Sequence, residues 1–146
     1  MTTPYSAAAI ARHCLEANLA GEVEIEVVDE TGSTNADLLA RIPQLRQPTL
    51  LIAERQTAGR GRAGRVWHSA AGASLTFSLA WKFSRPLQEL VGLPLAVGVA
   101  IADALAAQAV RVQLKWPNDI LRDGKKLGGV LSATAAVSSA AAGVSS

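Results

Sequence analysis

Read for apolar and polar positions, the chain breaks into short segments, some with a period of two and others with a helical period. Val23 to Val28 (VEIEVV) alternates apolar and acidic residues, the pattern of a strand with one wetted face. Thr49 to Ala53 (TLLIA) is apolar and bounded by Pro48, which predicts a buried strand. Ser74 to Trp81 (SLTFSLAW) alternates again, and Val110 to Trp116 (VRVQLKW) predicts a further strand that ends at Pro117-Asn118. In Asp119 to Leu131 (DILRDGKKLGGVL) two short runs flank Asp123-Gly124, the composition of a two-residue hairpin turn. Helices are predicted over 6–19 from Ala and Leu propensity and over Ala36 to Ile42, capped by Ser33 or Thr34 and stopped before Pro43. The longest runs from Leu93 to Gln108, with Pro94 tolerated in its first turn. Strands that arrive as hairpins and pairs, with helices between some of them, define an α+β fold with a mainly antiparallel or mixed sheet flanked by helices.

Composition narrows the class. At 146 residues and 49% apolar content the chain suits one globular domain. The opening residues have no basic segment followed by a long apolar run, so no signal peptide is expected. The apolar stretch Leu93 to Val112 is interrupted by Asp103 and Gln108 and reads as a buried helix, not a membrane span. The single cysteine, Cys14, has no partner for a disulfide within the chain, which fits a reducing, cytoplasmic setting. Residues 132–146 contain only Ala, Ser, Gly, Thr and Val, and no charge follows Lys126. That segment reads as a low-complexity, disordered tail on a domain of residues 1–131.

Net charge is only +2, but its distribution is uneven. Six acids and one arginine, Arg12, fall in the first thirty residues. From Arg55 to Gln88 there is no acid, while Arg55, Arg60, Arg62, Arg65, Lys82 and Arg85 are basic. This points to an anionic ligand near the segment TAGRGRAGRVW (57–67). Gly59, Gly61 and Gly64 satisfy G-x-G-x-x-G, yet five residues separate them from TLLIA, a strand pattern follows, and no acid appears before Glu89. Dinucleotide, kinase and Walker-type phosphate loops are excluded by that context. What remains is a loop whose glycines let backbone N–H groups approach oxygens and whose arginines offer forked donors to carboxylate or phosphate.

Four stretches in order, GSTN (32–35), ERQTAGRGRAGRVW (54–67), KWPNDI (115–120) and KKLGGVL (125–131), together resemble biotin–protein ligases. The resemblance covers roughly residues 22 to 131 and implies a class II synthetase-like biotin/lipoate ligase catalytic domain, incomplete at its C-terminus. It implies two substrates, biotin and ATP, with Mg2+, and a reaction through biotinyl-5′-AMP to a lysine of a carboxylase carrier domain. Carried over position by position, Ser33, Thr34 and Asn35 resemble the turn that binds the ureido ring, and Gln56 lines the biotin pocket. Arg60, Gly61, Arg62 and Gly64 match the loop over biotin and adenylate. Lys115, Asn118 and Asp119 match the segment that places ATP and Mg2+, with Asp119 as the metal ligand. Lys126 matches the lysine beside the biotin carboxylate and α-phosphate, and the resemblance makes Arg62 and Lys126 the catalytic pair.

The pattern also departs from the family. After KLGGVL the family continues with further strands and usually a small β domain, where this chain has its Ala/Ser segment, so an open sheet edge and exposed apolar surface are expected. Only about twenty residues precede the first strand, so no DNA-binding helix-turn-helix, and no DNA partner, is expected. Two alternatives stay open: a non-catalytic remnant that binds biotin or nucleotide, and a related ligase acting on lipoate or another acyl group. A homodimer is compatible with all three.

Overall fold

The computed structural model describes residues 22–70 and 73–135, the backbone of Val144–Ser145, and Ala9, Arg12 and His13. The predicted helix over 6–19 otherwise lies outside the described residues, Cys14 included. In chain order the elements are β1 (Glu24–Thr31), α1 (Thr34–Ala40), β2 (Thr49–Gln56), β3 (Thr76–Lys82), α2 (Leu93–Ala107), β4 (Gln113–Lys115), β5 (Asp119–Arg122), β6 (Lys125–Gly129), β7 (Thr134–Ala135) and β8 (Val144–Ser145). They form two compact units, one of Met1–Phe83 with Ala133–Ser146 and one of Ser84–Ser132.

The first unit holds a five-stranded sheet in the order β1-β2-β3-β8-β7. β1 and β2 run parallel, from Glu24 opposite Thr49 to Thr31 opposite Gln56. A parallel neighbour cannot be joined by a tight turn, and α1 is part of the crossover that joins them. β3 is antiparallel to β2, with Leu51 opposite Ser78 and Ala53 opposite Thr76. Leu51 and Ala80 pack with Leu38 of α1 into the core cluster, and Val28 and Leu45 close around it. Glu26 on β1 receives both terminal nitrogens of Arg41, at 2.6 and 2.7 Å. That forked bond, more than the nearby positive charge, holds the Glu26 carboxyl below its ordinary range.

The segment read as a disordered tail supplies β7 and β8, and Trp81 and Lys82 of β3 pair with Ser145 and Val144. Small side chains suffice there because a ladder is made by backbone groups. Apolar surface is nonetheless exposed: Phe77, Leu79 and Trp81, alternating along β3, keep 45%, 36% and 39% of their surface accessible.

The second unit combines α2 with a three-stranded antiparallel sheet, β4-β5-β6. The Asp123-Gly124 hairpin forms as expected, both residues adopting positive φ, 52° and 76°. Two expectations are corrected. The strand predicted over 110–116 is confined to Gln113–Lys115, because Val110 N–H is spent capping α2 on Leu105 O at 2.9 Å. The predicted buried helix is largely exposed: within α2 only Gly98 is buried. A Cβ added to Gly98 would stand 3.5 Å from Leu114 Cδ2, an ordinary packing distance, so Leu114 packs over the helix at that turn. Leu87–Ala107 is, by length and composition, apolar enough to cross a membrane.

Leu38→Ala is expected to cost about 3 kcal/mol in urea denaturation, the usual price of emptying a core leucine site. Glu26→Gln should cost about 0.5 kcal/mol at pH 7, since both partners are partly solvated. Because the folded-state pKa of Glu26 is depressed, its contribution is complete at neutral pH and lost as pH falls through that lowered value. Wild type and variant should therefore converge in stability in acid.

Candidate active site

In the first unit the parallel pairing of β1 and β2 brings the turn after each strand together. Thr57 N–H donates to Thr31 O at 2.9 Å and Ala58 N–H to Gly32 O at 2.8 Å, extending the register past both strands. Ser33 is the cap of α1, its Oγ accepting from Ala36 N–H at 3.2 Å. Thr34 is therefore inside the helix, 2% exposed, and turned to other work. Its backbone N–H donates to Gln56 Oε1 at 2.8 Å, its hydroxyl lies 3.1 Å from the same oxygen, and it lies 2.7 Å from Ser78 Oγ. The backbone of Gln56 is tied down as well, its N–H donating to Ser69 Oγ at 2.9 Å. Asn35 follows on α1, half-buried.

The glycine–arginine segment is a small antiparallel hairpin. Arg60 and Val66 form a β-bridge, Trp67 N–H donates to Gly59 O at 2.9 Å, and Gly61 N–H donates to Arg65 O at 2.7 Å. A 3-10 turn at Arg62–Gly64 makes the tip, with Ala63 and Gly64 at positive φ of 56° and 73°. Gly59 is needed at the base: a Cβ there would stand 2.6 Å from Trp67 O and 2.8 Å from Gln56 Nε2. Arg60, Arg62 and Arg65 are exposed, and among the described residues none of them is in an ion pair. Three uncompensated guanidinium groups on so short a hairpin favour an anion.

In the second unit a three-residue turn, Trp116-Pro117-Asn118 with a cis Trp116–Pro117 peptide, joins β4 to β5. Asn118 is anchored by two bonds to Val130: its Nδ2 donates to Val130 O at 3.0 Å and its carbonyl accepts from Val130 N–H at 2.9 Å. One bulge decides the rest. Ile120 pairs with Gly128 but Leu121 pairs with Lys126, leaving Leu127 as the extra residue. A regular ladder would set Lys126 opposite Arg122 on the other face; the slip puts it on the face of Leu121 and Asp119. Lys126 Nζ consequently meets Asp119 Oδ1 at 3.1 Å. A small, shallow cleft opens beside this turn, lined by Leu95, Gly98 and Leu114 and by Lys115, Asn118 and Asp119.

The residues expected from sequence thus fall into clusters within each unit. Ser33, Thr34, Asn35 and Gln56 surround the start of α1, with Arg60, Gly61, Arg62 and Gly64 on the adjoining hairpin. Lys115, Asn118, Asp119 and Lys126 belong to the second unit. Ser69 and Ser78 lie outside the four motifs, and the packing role of Gly59 is not marked by them. The signal for Ser78 was available: Ser74, Thr76 and Ser78 form a polar alternation within an otherwise apolar strand. Among the described residues no group of three or more His, Cys, Asp or Glu side chains could hold a metal ion.

The family model of the biotin/lipoate A/B protein ligases matches residues 25–145. The chain belongs to that family. It is 44% identical over 119 residues to the biotin–[acetyl-CoA-carboxylase] ligase of Mycobacterium tuberculosis, covering 77% of this chain and 45% of that protein. With the bifunctional ligase/repressor BirA of Escherichia coli it shares 41% over 108 residues, 73% of this chain and 34% of that protein. Among solved structures, the Helicobacter pylori biotin acetyl coenzyme A carboxylase synthetase with bound biotinylated ATP superposes with a TM-score of 0.67 at 29% identity, covering 84% of this chain and 58% of that one. The Aquifex aeolicus biotin protein ligase in complex with biotin and ATP gives 0.57 at 31%, covering 84% and 50%. The α+β fold is that of part of a biotin protein ligase catalytic domain, and the chain spans about half the length of these relatives or less.

Gly59→Ala is expected to lose about 1–3 kcal/mol by forcing the hairpin off Gln56. Gly61→Ala, where the nearest atom stands at 3.8 Å, should change stability by under about 0.5 kcal/mol. Denaturant midpoints of the two variants check both expectations.

Proposed function

We propose that this chain carries the biotin- and ATP-binding residues of a biotin–protein ligase and activates biotin as biotinyl-5′-AMP. The observation that carries the reading is the Thr34–Gln56 cluster at the base of an arginine hairpin, in a family whose structural relatives hold biotin and ATP. Ser33, Thr34, Asn35 and Gln56 are assigned to the ureido ring, which needs fixed polar partners at half-buried positions. Arg60 and Arg62, with Gly61 and Gly64 shaping the loop, are assigned to the carboxylate and phosphate. Lys115, Asn118, Asp119 and Lys126 are assigned to the nucleotide.

In the first step a biotin carboxylate oxygen attacks the α-phosphorus of ATP and pyrophosphate leaves. Two anions must meet, so positive groups from Arg62 and Lys126 lower the barrier by balancing charge as it moves to the leaving group. In the second step the neutral amine of a carrier-domain lysine attacks the carbonyl of the mixed anhydride, and AMP leaves. Asp119 is the residue that would hold Mg2+. A single hard carboxylate suits an ion that takes most of its ligands from substrate phosphate and water. When bound, Mg2+ would neutralise triphosphate charge. The Lys126–Asp119 pair holds both groups on one face of β5-β6.

Wild-type protein incubated with biotin, ATP radiolabelled at the α-phosphate and Mg2+ should form biotinyl-AMP. Arg62→Ala and Lys126→Ala should each reduce the rate by about a hundredfold, the scale of losing one charge-stabilising group. Absence of the adenylate from folded wild type would overturn the catalytic reading. Calorimetry with biotin would then separate a binding remnant from a chain with no affinity.

A further inference from the structure

The hydrogen-bond polarity of the first unit's cluster assigns a role to Ser78. The backbone N–H of Thr34 can only donate, so the atom it meets at 2.8 Å must be the carbonyl oxygen of the Gln56 amide. That fixes the orientation of the amide. The Thr34 hydroxyl, 3.1 Å from the same oxygen, has nothing there to accept and donates its proton. With that proton spent, Thr34 Oγ1 is an acceptor toward Ser78 Oγ at 2.7 Å, and the Ser78 proton is committed to it. The order runs Ser78 O–H to Thr34 O–H to Gln56 Oε1.

Two groups emerge from this relay with fixed character. Gln56 Nε2 is a donor only, beside the side-chain-free Gly59, with no acceptor among the described residues. Ser78 Oγ, its proton used, offers only lone pairs. Thr34 is 2% exposed, whereas Ser78 and Gln56 are half-buried, so those two are the members of the relay open to a ligand. One obligate donor and one obligate acceptor, joined through a single buried hydroxyl, match a group bearing a carbonyl oxygen next to an N–H. A cyclic urea is such a group.

We propose that Ser78 is a specificity-determining residue that accepts a hydrogen bond from a ureido N–H of biotin, while Gln56 donates to the ureido oxygen. This rests on the biotin reading above and adds to it a residue outside the four motifs. Register places Ser78 opposite Leu51 on the sheet face that packs against α1, so β3 contributes to the pocket as well as to the core.

The test is calorimetric affinity for biotin and for the two analogues methylated at one or the other ureido nitrogen, with adenylate kinetics alongside. Ser78→Ala should weaken biotin binding about tenfold, the size of one lost hydrogen bond to a buried partner, and raise KM with kcat unchanged. It should also collapse the wild-type preference for biotin over one of the methylated analogues, while Ser78→Thr keeps that preference. Should the alanine variant not fold, Ser78→Cys, close in size and a poor acceptor, carries the same expectation. A structural role alone would weaken all three ligands equally, and that result, or a threonine variant behaving like alanine, overturns the proposal. Wild type that binds no biotin overturns the functional reading and this proposal together. Wild type that binds biotin with an unchanged ratio in Ser78→Ala overturns this proposal alone.

Discussion

The bond from the Thr34 backbone N–H to Gln56 Oε1 connects three levels of the first unit. It can form only because β1 and β2 are parallel, since parallel register puts the exits of both strands at the same end of the sheet. An antiparallel pair would have placed residues 32–35 and 56–59 at opposite ends. Ser33 takes the capping position and leaves the Thr34 N–H for Gln56. The hairpin that carries Arg60, Arg62 and Arg65 then starts from a fixed residue, held by Thr34 on one side and by Ser69 on the other. The charged tip is irregular, but its base is not.

A different device serves the second unit. There a single extra residue in β6 turns Lys126 onto the face of Asp119, and the two form an ion pair. Asn118 is anchored to Val130 through both its amide and its backbone carbonyl. Its anchoring role and any role toward nucleotide are compatible, since the bond to Val130 uses the amide nitrogen and leaves the oxygen.

Much of this was legible in the residues. Alternation in VEIEVV and SLTFSLAW, the Asp-Gly turn and the Pro-limited helices all mapped onto elements close to their predicted ends, because each depends on local backbone preference. Parallel pairing of β1 and β2 was less legible, being decided by a crossover and not by either strand. The bulge at Leu127 was illegible, since nothing in KKLGG marks which residue goes unpaired. The exposure of α2 could not be read either: its apolar composition says that it can be buried, but burial depends on what packs against it. Val144 and Ser145 illustrate the converse, a segment without bulky side chains that still joins a sheet through its backbone. At the site, the motifs marked Ser33, Thr34 and Gln56, but only geometry showed that Thr34 and Gln56 bond to each other.

In the proposed function the Thr34–Gln56 cluster and the hairpin above it form one biotin-binding surface. Titrating nitrogen-15-labelled protein with biotin and following the Gln56 side-chain amide, the backbone amides of Ser33 to Asn35 and those of Gly59 to Arg62 tests it most directly. All of these resonances should shift together, with one common saturation point. Saturable biotin binding that leaves the Gln56 amide and the residue 33–35 resonances unmoved would contradict it.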